Sequence, residues 1–200
     1  MSMVNITLPD GTINEYAAGV TAGEVVIDAM GKKHGCLAAR VNAVQCDFST
    51  PITDDCSIEG ISAESDEGMY ILRHSAAHLL AQAMSELYPD AKPTIGPPVD
   101  RGFYYDFAME PIGESDLKPI EKKMHEIARR NLAIERIELD DKELREHFTS
   151  NPYKIEIIED KLEVGDGSTI YKQGEWYDLC LGPHVASTAK LMFCRLTSVS

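Results

Sequence analysis

A short acidic stretch divides this 200-residue sequence into two parts. Residues 64–68 contain three carboxylate side chains, a serine and a glycine, and such a segment does not pack into a core. Periodic apolar segments lie on both sides of this stretch. Hydrophobic residues make up 44% of the whole chain, which is an ordinary fraction for a globular protein. We therefore predict two domains, over residues 1–64 and 65–200.

The first part has the pattern of a small α+β unit. Apolar and polar residues alternate on both sides of Asp10 and Gly11, a dipeptide typical of hairpin turns. Thr21 and Glu24 have the spacing of a capping box in front of an apolar-periodic segment. The predicted elements are a β-hairpin over 3–16, a helix over 25–30, and strands over 36–44 and 57–62. This order of elements predicts a β-grasp-like fold.

The second part predicts a larger α+β domain with a mostly antiparallel sheet and a central helix. Its first helix ends before Pro89, Ser115 is the predicted cap of a charged helix, and Asp140 with Glu143 begins a short one. The predicted helices cover 69–88, 115–131 and a stretch near 153–159. The predicted strands cover 102–107, 134–139, 170–172, 176–180 and 193–199. Because the last strand-like segment has no polar tail, we expect the chain to be a fragment of a longer protein.

Two histidines mark the first helix of this second part. His74 and His78 are four residues apart, so on a helix they share one face and can converge on a single atom or water. That face lies opposite the main apolar stripe, which consists of Leu72, Ala76, Leu79, Leu80, Ala83 and Leu87. The face carries no formal charge, and its other members are Ile71, Ala77, Ala81 and Ser85. We therefore predict that the two imidazoles face a covered cleft.

A second pair of side chains with the same spacing lies far along the chain. Cys180 and His184 are separated by a turn that contains Gly182 and Pro183. Together with the two helical histidines, they have the residue types of a tetrahedral zinc site. Equally, the imidazoles have the chemistry to orient a hydrolytic water by hydrogen bonds. The residue types alone leave both possibilities open.

Three segments carry a resemblance to a known family. Residues 73–80 (Arg-His-Ser-Ala-Ala-His-Leu-Leu), 102–106 (Gly-Phe-Tyr-Tyr-Asp) and 178–185 (Asp-Leu-Cys-Leu-Gly-Pro-His-Val) resemble the editing domain of bacterial-type threonyl-tRNA synthetases. The first 62 residues resemble the TGS domain at the start of those enzymes, so the similarity is collinear over all 200 residues. The HxxxH and CxxxH motifs are shared with the editing domain of alanyl-tRNA synthetases, whereas the TGS-like unit and the Gly-Phe-Tyr-Tyr-Asp string favour the threonyl family.

The resemblance implies a set of site residues. The implied catalytic residues are His74, His78, Lys154, Asp178, Cys180 and His184. The implied substrate-binding residues are Gly96, Pro97 and Tyr105. The sequence departs from the family pattern at Leu181, where the family usually has arginine, and at Ala186, where it usually has proline. Both departures lie in the loop that would meet the end of the tRNA.

The resemblance also implies a reaction, which is hydrolysis of serine wrongly attached to threonine tRNA while the threonine ester is spared. In this interpretation His74 holds the water, Lys154 stabilises the oxyanion or holds a second water, and Asp178 holds the substrate α-ammonium. Cys180 and His184 shape the pocket beside His78, and the terminal adenosine contributes its 2′-hydroxyl. Editing needs no cofactor, whereas ATP, magnesium and zinc belong to a synthetase core outside this sequence. The implied partners are the serine-carrying 3′ end of tRNA(Thr) and the rest of the synthetase.

Two other functions stay open. The first is a zinc-dependent deacylase of Ser-tRNA(Ala), in which His74, His78, Cys180 and His184 hold the metal. The second is a non-catalytic module that binds RNA or a protein. Stoichiometric zinc would favour the first, and RNA binding without esterase activity would favour the second.

The net charge of −14 conflicts with nucleic-acid binding over a broad surface. Neither part of the chain is basic, so any grip on RNA must come from a local patch or from the rest of the protein. The candidate patch lies on the charged helix and consists of Lys118, Lys122, Lys123, Arg129 and Arg130. The same residues are also typical of a solvated helix face.

The remaining features predict a cytoplasmic protein. No apolar run has the length of a membrane span, and the first residues lack the basic flank and apolar core of a signal peptide. The five cysteines are an odd number in a chain too long to need disulfide bonds, so we predict that they are reduced.

Overall fold

The computed structural model describes residues 2–31, 35–164 and 169–200. The chain forms two compact units. The first consists of Met1–Leu72 and Gly182–Ala186, and the second of Arg73–Leu181 and Ser187–Ser200. The long helix α2 (Asp66–Leu87) therefore begins in the first unit and continues in the second. The domain boundary predicted at residue 64 stays a prediction.

The first unit is a mixed sheet with one helix. Its strands are β1 (Met3–Thr7), β2 (Ile13–Ala17), β3 (Val20–Thr21), β4 (Cys36–Val41), β5 (Val44–Cys46), β6 (Pro51–Ile52) and β7 (Cys56–Ser62), and its helix is α1 (Ala22–Met30). Five strands form a sheet in the order β2-β1-β7-β4-β5, in which only β1 and β7 are parallel neighbours. Strands β3 and β6 form a separate antiparallel pair.

Local sequence signals account for the start of this unit. The hairpin predicted around Asp10 and Gly11 is confirmed, with Thr7 opposite Ile13. The capping box is also confirmed, because the Thr21 hydroxyl accepts from the Glu24 N–H at 3.3 Å and the Glu24 carboxylate accepts from the Thr21 N–H at 2.9 Å. The core packs the apolar face of α1 on the sheet and contains Val4, Ile6, Val25, Val26, Ala39, Ile52 and Ile58.

The prediction of one strand over 36–44 is wrong, since a tight hairpin divides it. Strands β4 and β5 pair across Asn42 and Ala43, which have φ values of 48° and 67°. Two consecutive residues with positive φ are what a two-residue hairpin turn of this type requires. Asparagine adopts positive φ values readily, but alanine rarely does, so this turn had no clear indication in the sequence.

The second unit combines three further helices, short strand pairs and one three-stranded sheet. The helices are α3 (Glu114–Arg129), α4 (Asp141–Phe148) and α5 (Pro152–Val164). The short strands are β8 (Lys92–Pro93), β9 (Pro98–Val99), β10 (Gly102–Phe103) and β11 (Phe107–Ala108). The sheet consists of β12 (Ile134–Glu138), β13 (Thr169–Gln173) and β14 (Trp176–Leu179), with β13 antiparallel to both neighbours.

Capping chemistry fixes the starts of two helices. The Asp140–Glu143 capping box at α4 is confirmed, with Asp140 accepting from the Glu143 N–H at 2.8 Å. The prediction that Ser115 caps α3 is wrong. The cap is Gly113, whose N–H donates to the Asp116 carboxylate at 2.8 Å. A carboxylate in the first turn also suits the positive end of the helix dipole.

Two predicted strands differ from the structure. The strand over 102–107 is interrupted, because β10 pairs with β9 and β11 pairs with β8, and Tyr105 between them is buried. The segment 193–199 is not a strand, and among the described residues no strand pairs with it. Phe193 is 98% exposed, whereas Cys194 and Leu196 are half-buried, so the apolar residues of this segment do not share one buried face. A short 3₁₀ helix, Thr188–Leu191, precedes this segment.

The fold is α+β with mostly antiparallel sheets, as predicted. Within the described ranges, no helix has both the length and the apolar character needed to span a bilayer.

Candidate functional site

The helix α2 presents its two histidines inside the second unit. From Ser75 to Met84 every residue of the helix is buried, including the face that carries His78. The face that carries His78 is therefore covered, whereas a cleft in front of the two imidazoles stays a prediction. The His74 and His78 rings stand perpendicular, with centroids 5.4 Å apart.

The ring of Trp176, on β14, packs at the edge of His78 with centroids 5.8 Å apart. Its indole N–H donates to the Ser85 hydroxyl at 3.1 Å, which ties the strand to the helix. No sequence pattern pointed to Trp176, although it is the single tryptophan of the chain.

Cys180 follows directly after β14 and reaches the first histidine. Its Sγ lies 3.1 Å from Nε2 of His74, across 106 residues of sequence. The Cys180 N–H donates to the carbonyl of Thr169 at 3.2 Å, and the Thr169 hydroxyl donates to the Cys180 carbonyl. The end of the sheet thus fixes the backbone of Cys180, and the contact with His74 follows from the position of that backbone.

Burial controls the protonation of His78. The side chain is 4% exposed, and this desolvation lowers its pKa from the usual 6.5 to about 3. Asp178 opposes the shift, whereas the charges of His74 and Lys154 add to it. At neutral pH the His78 imidazole is therefore neutral, with one nitrogen able to donate and one able to accept a hydrogen bond.

A buried charged network lies beside the histidines. The Lys154 ammonium is 2.6 Å from Oδ1 of Asp178 and donates to the Tyr105 hydroxyl at 3.0 Å. The Tyr105 hydroxyl in turn donates to Oδ2 of Asp178. The two charged side chains are only 4% and 2% exposed, so each depends on its partner for compensation.

Three separate elements position this network. Asp178 lies on β14, and its Oδ1 also accepts from the Leu179 N–H at 2.8 Å. Lys154 lies in the first turn of α5, where its N–H donates to the carbonyl of Asn151 at 3.1 Å. The Asn151 amide donates to the Pro93 carbonyl at 2.8 Å and so links α5 to β8. Lysine side chains are usually exposed, but the side chain of Lys154 is buried.

Tyr105 has a larger part in the site than pocket lining. Burial, followed by the charge of Asp178, raises the pKa of its hydroxyl, so the group stays protonated and donates. One face of its ring stacks on Phe107, with centroids 5.0 Å apart. No sequence pattern signalled its hydroxyl contacts, because its partners lie 49 and 73 residues away.

Gly96 is fixed by the ring of Tyr105. A Cβ atom at position 96 would lie 2.1 Å from Cδ2 of Tyr105, which is far inside van der Waals contact. Only glycine therefore fits against the ring in this conformation. Pro97, which follows it, is half-buried. The structure thus brings Gly96 and Tyr105 together, and their role in a substrate pocket stays a prediction.

His184 is described within the first unit. It lies in the segment Gly182–Ala186, is 1% exposed, and its N–H donates to Oδ1 of Asp47 at 2.8 Å. The second unit therefore contains the other five predicted catalytic residues, in two adjoining groups. One group is His74, His78 and Cys180, and the other is Lys154 and Asp178 with Tyr105.

Three of these side chains are also a candidate metal-binding group. One ligand atom each of His74, His78 and Cys180 lies within 4.8 Å of the others. Two imidazoles and a thiolate are ligands that zinc prefers, so the residue types fit the metal. The 3.1 Å contact between Cys180 and His74 fits a hydrogen bond between thiol and imidazole equally well. The arrangement can thus hold either a metal ion or a hydrogen-bonded water.

Comparisons with known proteins agree on one family. Residues 168–200 match the model of the threonyl and alanyl tRNA synthetase second additional domain. The chain is 45% identical over 193 residues to a threonine–tRNA ligase of Thermoplasma acidophilum, covering 96% of this chain and 28% of the relative. It is 45% identical over 202 residues to that of Rubrobacter xylanophilus and 42% identical over 203 residues to that of Streptococcus thermophilus, covering 99% of this chain and 31% of each relative.

The chain spans less than a third of the length of these relatives. Over almost all of its own length, it is a homologue of a segment of the threonine–tRNA ligases.

Proposed function

We propose that this chain is the editing part of a threonyl-tRNA synthetase and hydrolyses Ser-tRNA(Thr) while it spares Thr-tRNA(Thr). The observation that carries the proposal is the buried Lys154–Asp178–Tyr105 network beside His74, His78 and Cys180. Two ionised groups are costly to keep inside a protein, and such groups cluster where chemistry requires them. The homology to threonine–tRNA ligases gives the class of substrate.

The physical need for such an activity follows from substrate size. Serine lacks one methyl group of threonine, and such a difference is worth only about 1–3 kcal/mol in a binding pocket. A synthetase therefore attaches serine to threonine tRNA at an appreciable rate. A second pocket that admits serine and rejects the extra methyl corrects the error, because steric overlap discriminates better than a missing contact.

In this mechanism the histidines hold and orient the hydrolytic water. His74 is half-buried and has one ring nitrogen oriented by the Cys180 thiol, so it is assigned the hydrolytic water. His78 is neutral at neutral pH, which suits it to hydrogen bonding rather than to charge stabilisation. His184, four residues after Cys180 in sequence, is assigned to the same set by that spacing. The 2′-hydroxyl of the terminal adenosine assists, so no strong general base is required.

The charged network handles the substrate. Lys154 is assigned the oxyanion that develops at the ester carbonyl or a second water, since its ammonium already points into a desolvated site. Asp178 is assigned the α-ammonium of the serine. Both of its oxygens accept hydrogen bonds from the protein, so the substrate must share the carboxylate with Lys154 and Tyr105. Substrate binding and the lysine position are therefore coupled.

Selectivity against threonine is assigned to Gly96, Pro97 and Tyr105. The close packing of Gly96 on the Tyr105 ring leaves the pocket wall no room to retreat. A wall that cannot move converts one extra methyl group into steric overlap, and forced overpacking costs about 1–3 kcal/mol.

We assign residues 1–64, which lie within the first unit, to a TGS domain of the β-grasp type. The parallel pair β1 and β7 in the middle of an otherwise antiparallel sheet supports this assignment. The partners proposed for the protein are the 3′ end of tRNA(Thr) carrying serine and the remaining segments of the synthetase. We place the protein in the cytoplasm, and assign ATP, magnesium and zinc to the catalytic core of the complete enzyme.

The second candidate function is a zinc-dependent hydrolase that acts on Ser-tRNA(Ala). The proximity of the ligand atoms of His74, His78 and Cys180 favours it. In that case the metal would hold and polarise the water, and His184 would be the candidate for the fourth ligand. The third candidate is a module that binds RNA or protein without hydrolysis. Such a module would not require the buried charges of Lys154 and Asp178.

A single set of measurements separates the three functions. The chain is incubated with Ser-tRNA(Thr), Thr-tRNA(Thr) and Ser-tRNA(Ala), with and without a chelator, and its metal content is measured. Hydrolysis of Ser-tRNA(Thr) that resists the chelator supports the proposal. Activity lost to the chelator and restored by zinc would select the zinc hydrolase. RNA binding without release of serine from any substrate would select the non-catalytic module.

A further inference from the structure

The helix α3 carries its cations on two different faces. Successive residues of a helix are about 100° apart, which places Lys118, Lys122, His125 and Arg129 within a sector of about 60°. Lys123 and Arg130 lie about 120° farther around the helix. The single basic patch considered from the sequence is therefore two sets of residues with different surroundings.

The cations on the second face are neutralised by the fold. Arg130 makes two hydrogen bonds to the Glu86 carboxylate, at 2.6 and 2.8 Å. Lys123 lies 3.0 Å from Glu126 and 3.8 Å from Glu86. The hydrogen bonds from Arg130 also lower the pKa of Glu86, so this carboxylate stays ionised and continues to offset both cations. This face offers little charge to a partner.

The cations on the first face line a groove. Lys118, Lys122 and Arg129, with Glu121 and His125, line a shallow, open groove of about 260 Å³ on the surface of the second unit. Across the ranges 2–31, 35–164 and 169–200, none of these three cations forms an ion pair. With Glu121 as the one acidic residue of its lining, the groove carries a net positive charge in a chain whose total is −14.

The imidazole of His125 is held at the wall of this groove. Its Nε2 lies 3.1 Å from the carbonyl oxygen of Cys194. A carbonyl only accepts hydrogen bonds, so Nε2 carries the proton and donates. The helix is therefore tied at His125 to the segment after the 3₁₀ helix.

We propose that the groove on α3 binds the phosphate backbone of the RNA whose esterified 3′ end is the substrate, at a distance from the ester. Lys118 and Arg129 are eleven residues apart, so the cations extend over about 16 Å along the helix. A row of unpaired cations matches the linear array of charges that a phosphate backbone presents. The inference rests on the proposed function for the identity of the RNA.

The charge of the whole chain favours RNA as the occupant in one further way. Most of the surface repels a polyanion, so an RNA that binds at all must concentrate its contacts where positive charge is uncompensated. Phosphate contacts fix position and orientation without reading sequence. The groove would thus orient the acceptor arm while the pocket reads the amino acid.

The test compares two double variants with equal charge change. Lys118→Gln/Lys122→Gln removes two groove cations, whereas Lys123→Gln/Lys142→Gln removes a neutralised cation of the same helix and an exposed lysine of α4. Binding of tRNA that carries no amino acid is measured by fluorescence anisotropy at salt concentrations between about 50 and 200 mM, where the affinity of phosphate contacts depends strongly on salt. We expect the groove variant to bind about tenfold more weakly and to reduce the slope of log K against log salt by about 2. The control should change each quantity much less.

A short substrate separates this inference from the proposed function. The groove variant should hydrolyse a serylated 3′-terminal oligonucleotide at the wild-type rate and show a raised KM only on full-length Ser-tRNA. If the wild-type chain hydrolyses neither substrate, the proposed function fails, and the binding data alone decide on the groove. Equal loss of affinity and slope in both double variants, or no loss in either, would overturn the inference. So would preferential binding of a poly-glutamate peptide over tRNA at the groove.

Discussion

Replacement of Lys154 by methionine removes the cation that pairs with a buried carboxylate. The Lys154 ammonium lies 2.6 Å from Asp178, whose side chain is 2% exposed. Methionine keeps most of the apolar stem, so the loss is largely electrostatic. Asp178 retains hydrogen bonds from Tyr105 and from the Leu179 N–H, but no other cation of the described part of the chain pairs with it. Removal of one member of a buried pair typically costs about 3–5 kcal/mol of stability.

This cost is a large part of the stability of a domain, which is about 5–15 kcal/mol. Urea unfolding followed by the fluorescence of Trp176, which lies in the second unit beside His78, reports the relevant region. With a slope of about 2 kcal/mol per molar urea, the midpoint should fall by about 2 M. Lys142→Met, at an 83% exposed lysine of α4, should lower it by less than about 0.3 M.

A compensating double variant tests the buried pairing even if the single variant unfolds. Lys154→Met/Asp178→Leu replaces the pair by apolar groups and should recover most of the lost stability, because a buried pair contributes little relative to an apolar substitute. A single variant within about 1 kcal/mol of wild type would refute the buried pairing. A double variant that is no more stable than the single one would refute the explanation by an unpaired charge.

Three further predictions concern neighbouring groups. The pKa of His78 is lowered to about 3 in the folded state, so unfolding takes up a proton and the stability of the fold falls as the pH drops below about 6.5. We expect the free energy of unfolding, measured with urea, to fall by about 1–1.5 kcal/mol from pH 7 to 5.5. This loss should be absent in His78→Asn. Gly96→Ala should lower the free energy of unfolding by about 1–3 kcal/mol in the same assay, and by much less in a Tyr105→Ala variant. An equal loss in both proteins would contradict the close contact between Gly96 and the Tyr105 ring. Gln173 is fully buried, and among the described residues its amide has no hydrogen-bond partner, so Gln173→Leu should raise stability by about 1 kcal/mol, whereas a loss would indicate bound water.

Local patterns in the sequence predicted the elements that local chemistry controls. The hairpin at Asp10 and Gly11, the capping boxes at Thr21 and Asp140, and the covered histidine face all depend on residues within one or two turns of each other. The turn at Asn42 and Ala43 was missed because alanine gives no sign of positive φ. The absent strand over 193–199 shows the limit of alternation, since a strand also needs a partner for its backbone.

The charged part of the site was predicted only through family resemblance. Lys154 and Asp178 have no local signal, because their pairing joins the first turn of one helix to a strand that lies beyond it in sequence. The hydroxyl of Tyr105 between them depends on a third element and was not anticipated. Similarly, the division of the α3 cations into paired and unpaired faces required the position of Glu86 on α2.

The editing reaction itself tests the proposed site. Single-turnover hydrolysis by the chain is compared for Ser-tRNA(Thr) and Thr-tRNA(Thr), made on the same tRNA, and repeated with His74→Ala and Tyr105→Ala. We expect wild type to release serine at least tenfold faster than threonine, His74→Ala to lose most of the serine release, and Tyr105→Ala to raise the relative rate on threonine. Equal release of both amino acids by the wild type, or unchanged serine release by His74→Ala, would contradict an editing site built around these residues.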